Sequence, residues 1–140
     1  MKSSICDQIS SARDCGVVHC GILESDAITV GELAARFGLI STPDIYRLIN
    51  RAQALAVAKR ILHRDLAYDA KIMSEARAQA LAENFLNHFD KEHVQYFTNG
   101  DYDIDSSSNG WNPATSATFD TGILVLGNSK AGCLWVEDED

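Results

Sequence analysis

Ala117-Thr118-Phe119-Asp120-Thr121-Gly122-Ile123-Leu124-Val125-Leu126, then Gly127-Asn128-Ser129-Lys130, then Ala131-Gly132-Cys133-Leu134-Trp135-Val136 reads as two strands and the turn that joins them. Side chains alternate across a strand. Phe119, Thr121, Ile123 and Val125 therefore face one way, and Thr118, Asp120, Gly122, Leu124 and Leu126 the other. Apolar residues on both faces near the end of the first strand imply a central position packed against helices. Trp135 alternates with Leu134 and Val136, which puts it in the core before any interface.

Upstream of this pair, Val94-Gln95-Tyr96-Phe97-Thr98 reads as a further strand, and the polar stretch from Asn99 to Asn112 as a loop. Before Asp90 the periodicity is helical. A short helix is expected around residues 4 to 14, with Ile5, Cys6 and Ile9 on one side; Val17-Val18-His19-Cys20, between Gly16 and Gly21, is a short strand or a turn. Thr29 and Glu32 make a capping box, with Ile28 and Leu33 at the staple positions and Gly38 as the stop, which predicts a helix over 30–37. Thr42, Pro43 and Asp44 resemble the start of another. Ile45, Leu48, Ile49, Ala52, Leu55, Ala56 and Leu62 keep one helical face, so this helix is expected to reach about Leu62. After a loop, Ser74 caps a helix bearing Ala78, Leu81, Ala82, Phe85, Leu86 and Phe89. The expectation is an α+β fold: a layer of three to four helices packed on a small, mostly antiparallel C-terminal sheet. It forms a single domain over 1–140, helical to about residue 90 and strand-rich from about 91.

At 140 residues and 46% apolar content the chain suffices for one core. No apolar run approaches the roughly 20 residues of a membrane span, and residues 1–11 lack the apolar stretch of a signal peptide. A soluble, cytoplasmic protein is expected. Cys6, Cys15, Cys20 and Cys133 then read most simply as reduced thiols. The net charge of −8 is uneven: residues 1–100 hold 12 acids and 11 bases, a balance of −1, whereas residues 101–140 hold 8 acids and Lys130, a balance of −7. Such a pole repels nucleic acid and anionic membranes and steers a basic partner toward itself.

The motifs that suggest chemistry are incomplete. His63-Arg64-Asp65-Leu66 matches the start of a kinase catalytic loop, but Ala70 stands where its Asn belongs and no Gly-rich phosphate loop accompanies it. Asp101, Asp103 and Asp105 imitate a calcium loop, yet Ser106 replaces its Gly and Asn112 its Glu. Cys6, Cys15, His19 and Cys20 are soft donors without the C-x-x-C pairing typical of zinc sites, and the sequence leaves open whether they bind metal. No nucleophile elbow is present. No cofactor, metal or catalytic residue is assigned, and a binding protein is expected rather than an enzyme.

Thr29-Val30-Gly31-Glu32-Leu33-Ala34-Ala35-Arg36-Phe37-Gly38 resembles the first helix and turn of a helix-turn-helix. In that alternative, a DNA-binding regulator using the 29–62 region, the following helix presents Asp44, Tyr46, Arg47, Asn50 and Arg51 to the duplex. The charge of −8 opposes the phosphate contacts it would need.

Trp111-Asn112-Pro113-Ala114-Thr115-Ser116, running into the strand at 117–126, and Gly132-Cys133-Leu134-Trp135-Val136 followed by Glu137-Asp138-Glu139-Asp140, resemble the ending of some bacterial immunity proteins. These are the cognate inhibitors encoded beside contact-dependent growth inhibition and other polymorphic toxins. The resemblance is one of pattern and covers residues 111–140. It implies a cognate toxin as partner, basic and often a nuclease, whose substrate groove an acidic inhibitor occupies as a phosphate mimic. The partner-binding residues it implies are Asp101, Tyr102, Asp103, Asp105, Trp111, Glu137, Asp138, Glu139 and Asp140, a few aromatics and charges within a larger surface.

Overall fold

The computed structural model describes residues 4–24, 28–100 and 112–139. A five-stranded sheet runs through it in the order β1-β5-β4-β3-β2, with β1 at Val17–Glu24, β2 at Arg47–Ile49, β3 at Gln95–Thr98, β4 at Phe119–Leu126 and β5 at Lys130–Asp138. Every neighbouring pair is antiparallel. The strand expected to be central, β4, is the middle one, and its two faces are separately buried as the alternation of its side chains required.

Ile123 and Val125 of β4, with Leu134 and Val136 of β5, belong to the larger core, covered by α1 (Ile5–Ala12), α3 (Arg51–His63) and α4 (Glu75–Leu86). Ile9, Ile61, Leu62, Phe85 and Leu86 fill it and are almost wholly withdrawn from water. Burying a side chain of this size stabilises the fold by about 1.5–3 kcal/mol. The other face carries Leu124, Ala131, Cys133 and Trp135 under α2 (Val30–Arg36), Leu39 and Tyr46. Tyr46 meets Trp135 edge to face at 5.8 Å between ring centroids. The helices thus form two layers of unequal size around one sheet.

Four helix starts are capped by side chains. Ser4, Thr29, Asn50 and Ser74 each accept from the backbone N–H three residues on. The Thr29 and Ser74 caps and the stop after α2 are where the sequence put them, and Gly38 takes the positive φ that a helix stop favours.

The helix expected over 43–62 is corrected. Pro43–Ile45 is a single 3₁₀ turn, Arg47–Ile49 is β2, and α3 begins only at Arg51. The reason is local: Asn50 and Gln53 form a reciprocal capping box, side chain to backbone in both directions, which starts a helix after Asn50. The apolar face moves with the start, to Ala54, Val57, Ala58, Ile61 and Leu62; Ala52 is exposed and Leu55 and Ala56 only partly covered. Two strands, β1 and β2, also lie within the first ninety residues, so helices and strands are less segregated along the chain than expected.

A second correction concerns the cysteines. Cys6 and Cys20 are joined in a disulfide with Cα atoms 5.3 Å apart, tying α1 to β1. Helix periodicity put Cys6 beside Ile5 and Ile9, and strand alternation turns Cys20 toward the same core. The two thiols meet because α1 packs on the face of β1 that Cys20 occupies. Cys15 and Cys133 are free.

Candidate protein-binding surface

Asp120 sits near the start of β4 on the Trp135 side of the sheet, 2% exposed. A carboxylate in that position must be met by donors, since burying it unpaired is costly. Five donors converge on it: Trp135 Nε1 at 3.1 Å, Asn99 Nδ2 at 3.0 Å, the backbone N–H of Ala114 at 3.1 Å and of Thr115 at 3.2 Å, and the Thr115 hydroxyl at 2.9 Å. Asn99 is itself buried. Its Nδ2 also donates to the carbonyl of Asn112 at 2.8 Å, its carbonyl accepts from Asn112 N at 2.8 Å, and its Oδ1 accepts from the Thr121 hydroxyl. The chain therefore leaves β3 and returns toward β4 through two points, Asn99 and Asn112, that are bonded to each other and to the Asp120 node. Asp101, Tyr102, Asp103, Asp105 and Trp111 lie between those points, outside the described residues, as does Asp140.

The acids at the end of β5 have separate roles. Asp138 does not face a partner: its carboxylate holds Arg13 bidentately, at 3.0 and 2.6 Å, and accepts from Leu66 N at 2.8 Å. The two side chains are 4% and 0% exposed. Arg13 spends its remaining donors on the carbonyls of Ile61, 2.7 Å, and Cys15, 2.8 Å. Gly16 takes φ +67°, and a Cβ there would collide with Asp138, so the close turn into β1 needs glycine. Asp138 thus leaves the set of implied docking residues and becomes a structural ion pair joining α1, α3 and β5. Glu137 meets His19 Nε2 at 2.5 Å and stays about one-fifth exposed. Glu139 accepts from both the N–H and the hydroxyl of Thr118. Glu137 and Asp138 are the last residues of β5.

These positions share one end of the sheet. Phe119 pairs with Asp138 and Asp120 with Glu137, while Thr98, at the end of β3, donates to the carbonyl of Gly122 at 2.7 Å. Asn99 and Asn112 thus lie at the same end of the sheet as Glu137 and Glu139, although they are far apart in sequence. Discounting Asp138, neutralised by Arg13, and Asp120, enclosed by donors, the outward charge of residues 101–140 is smaller than the count of −7 implies.

Other sequence-suggested chemistry is not assembled. His63 Nδ1 bonds the carbonyl of Met73, and the Asp65 oxygens accept from Tyr68 N and Ala70 N within their own turn. Cys15 has its thiol pKa raised, mainly by burial and against the opposing effect of Arg13, so it is not an activated nucleophile. Of the four soft donors, Cys6 and Cys20 are bonded to each other and His19 is held by Glu137; among the described residues no group of three or more His, Cys, Asp and Glu gathers around a metal position. The presumed recognition helix is likewise divided. Asp44 lies in the 3₁₀ turn, the Tyr46 hydroxyl donates to the carbonyl of Ile40, Arg47 is in β2, Asn50 caps α3, and Arg51 donates to the Tyr96 hydroxyl and Asn87. Ala34 packs α2 onto the sheet, where the helix-turn-helix needs it against a second helix.

Sequence reasoning missed Arg13, Asn99 and Thr115. One signal was available: Asp120 on a strand buried on both sides demands donors from elsewhere in the chain, though not which ones. No helix of the described residues is long and apolar enough to cross a membrane. No family model, curated protein or solved structure matches the chain.

Proposed function

We propose that this protein is an immunity protein. It binds and neutralises a cognate toxin domain of basic character, a nuclease in the simplest case. The docking residues are Asp101, Tyr102, Asp103, Asp105 and Trp111 together with Glu137, Glu139 and Asp140.

The observation that supports this reading is that Asn99 and Asn112, the two points that bracket residues 100–111 in the sequence, lie at the same end of the sheet as Glu137 and Glu139. A base fixed in this way lowers the ordering cost of binding, and concentrated negative charge speeds encounter with a cation. The Cys6–Cys20 disulfide speaks for oxidising surroundings, so the cytoplasmic location expected from the sequence is not carried into the proposed role.

The test is rescue. The C-terminal domain of a large secreted effector encoded next to this chain is expressed in bacteria with and without it. Growth restored by this protein, and lost again when Asp101, Asp103 and Asp105 become Lys, is the expected result. Absence of rescue, together with tight sequence-selective binding of the purified protein to duplex DNA, would overturn the proposal.

A further inference from the structure

Among the described residues, strand β1 is the long unpaired edge of the sheet. It pairs with β5 alone, and among the described residues its main-chain groups make no backbone hydrogen bond to any other element. In an antiparallel edge strand alternate residues turn their N–H and C=O outward, so this eight-residue edge offers a row of donors and acceptors without a strand partner among the described residues. The opposite edge, β2, is only three residues long. Long edges are ordinarily blunted by Lys, Pro, inward charges or a bulge. Val17-Val18-His19-Cys20-Gly21-Ile22-Leu23 contains no Lys, Arg, Asp, Glu or Pro, and its register with β5 runs unbroken. Val17 is 50% exposed at its start.

Charge decides what fits there. Glu24 lies opposite Lys130, and the Glu137 carboxylate is engaged by His19, so the acids flanking this edge each have a neighbour on the paired strand. The surplus acids lie in the sequence between β3 and β4 and after β5, and a cationic partner is drawn to them. A neutral strand suits β1, and the chain's own β1 is one. Two antiparallel strands related by a twofold axis must pair residues whose backbone groups point the same way, which places the axis on a residue, not between two. With the axis at Cys20, Val17 lies opposite Leu23 of the second copy, Val18 opposite Ile22 and His19 opposite Gly21. All seven residues from Val17 to Leu23 are then paired and Val17 is covered. Moving the axis to Gly21 would set Val18 against Glu24.

We infer that β1 is a self-association edge, on which a second copy of this chain pairs antiparallel to make one continuous sheet. The inference rests on the edge alone and is independent of toxin binding. Both copies carry −8, so repulsion opposes pairing and salt relieves it. Docking of a cationic partner has the opposite salt dependence.

The experiment is sedimentation equilibrium of the full chain over a range of concentrations at low and high salt. It is run alongside Val17→Lys at this edge and Leu48→Lys at the other, with circular dichroism to verify folding. The expected result is a dimer that tightens with salt, is weakened about tenfold or more by V17K and is unchanged by L48K. Hydrogen exchange on the unmodified protein gives a second reading that needs no variant: alternate amides of residues 17–24 gain protection as concentration rises. A monomer at every concentration overturns the inference, as does a dimer broken by L48K instead of V17K. Protection of β1 that appears only when a basic protein is added would give the edge to that partner and overturn it equally.

Discussion

Asp138 illustrates how one residue changes its meaning between sequence and structure. In the sequence it is one of four terminal acids; in the fold it is the buried partner of Arg13, 125 residues away. A buried ion pair adds little net stability over an apolar pair of the same volume, but breaking it from one side leaves a charge without solvent or partner. Asp138→Asn should therefore cost about 3–5 kcal/mol, read as a lowered urea midpoint. Replacing Arg13 and Asp138 together by Met and Leu should cost less than D138N alone, although Ile61, Cys15 and Leu66 would each still lose a partner. Equal losses in the single and double variants would show that the pair is not the source of the effect. Cys133 offers a different test. Its burial pushes the thiol well above its ordinary value of 9.0, so the folded state keeps the proton that the unfolded state releases above pH 9. The unfolded chain then binds fewer protons than the folded one, and stability falls as pH rises, by up to about 1.4 kcal/mol per pH unit for one such group. Tyr46, whose pKa is also raised, chiefly by burial, adds to this above pH 10. Urea midpoints measured from pH 8 to 10.5 should drop, and Cys133→Ala should make the drop shallower. An unchanged slope in C133A would remove the thiol from the explanation.

Elements were legible where a local signal and the tertiary demand agreed. Helices α2 and α4 begin at their predicted caps, and β4 and β5 follow their alternation, because capping and strand periodicity are read within a few residues. The region 43–62 misled for a physical reason. Tyr46-Arg47-Leu48-Ile49 fits helical spacing and strand alternation about equally well, and pairing of Arg47, Leu48 and Ile49 with Thr98, Phe97 and Tyr96 decides between them from fifty residues away. The Asn50–Gln53 box was the available local clue. The contact of α1 with β1 was equally invisible, and with it the Cys6–Cys20 bond. Closing a 14-residue separation removes freedom mainly from the unfolded chain, so cutting it should cost roughly 3 kcal/mol and lower the melting temperature by roughly 10 °C. Thermal melts with and without reductant read this directly. A Cys6→Ala, Cys20→Ala double variant should melt at the lower temperature in both conditions, whereas sensitivity to reductant persisting in that variant would place the relevant bond elsewhere.

For the whole molecule, net charge was readable from composition but its distribution was not. Of the eight acids in residues 101–140, the fold turns Asp120 and Asp138 inward and pairs Glu137 with His19, which leaves Asp101, Asp103, Asp105, Glu139 and Asp140 as the remaining acids of that segment. No periodicity could have separated these two groups, because the separation depends on Arg13, Asn99 and Trp135 arriving from distant parts of the chain. If the outward acids steer a basic toxin, their influence acts during approach, before contacts form, and is screened beyond about 8–10 Å in physiological salt. Changing Asp101, Asp103 and Asp105 to Lys moves the net charge from −8 to −2 while leaving the Asp120 node and the Arg13–Asp138 pair intact. Stopped-flow association with the cognate toxin should then slow by about tenfold or more at low ionic strength and lose most of its salt dependence. Dissociation should rise only as far as those three residues are also desolvated in the complex. Association that keeps its rate and its salt dependence after the triple reversal would assign the docking surface to another part of the molecule.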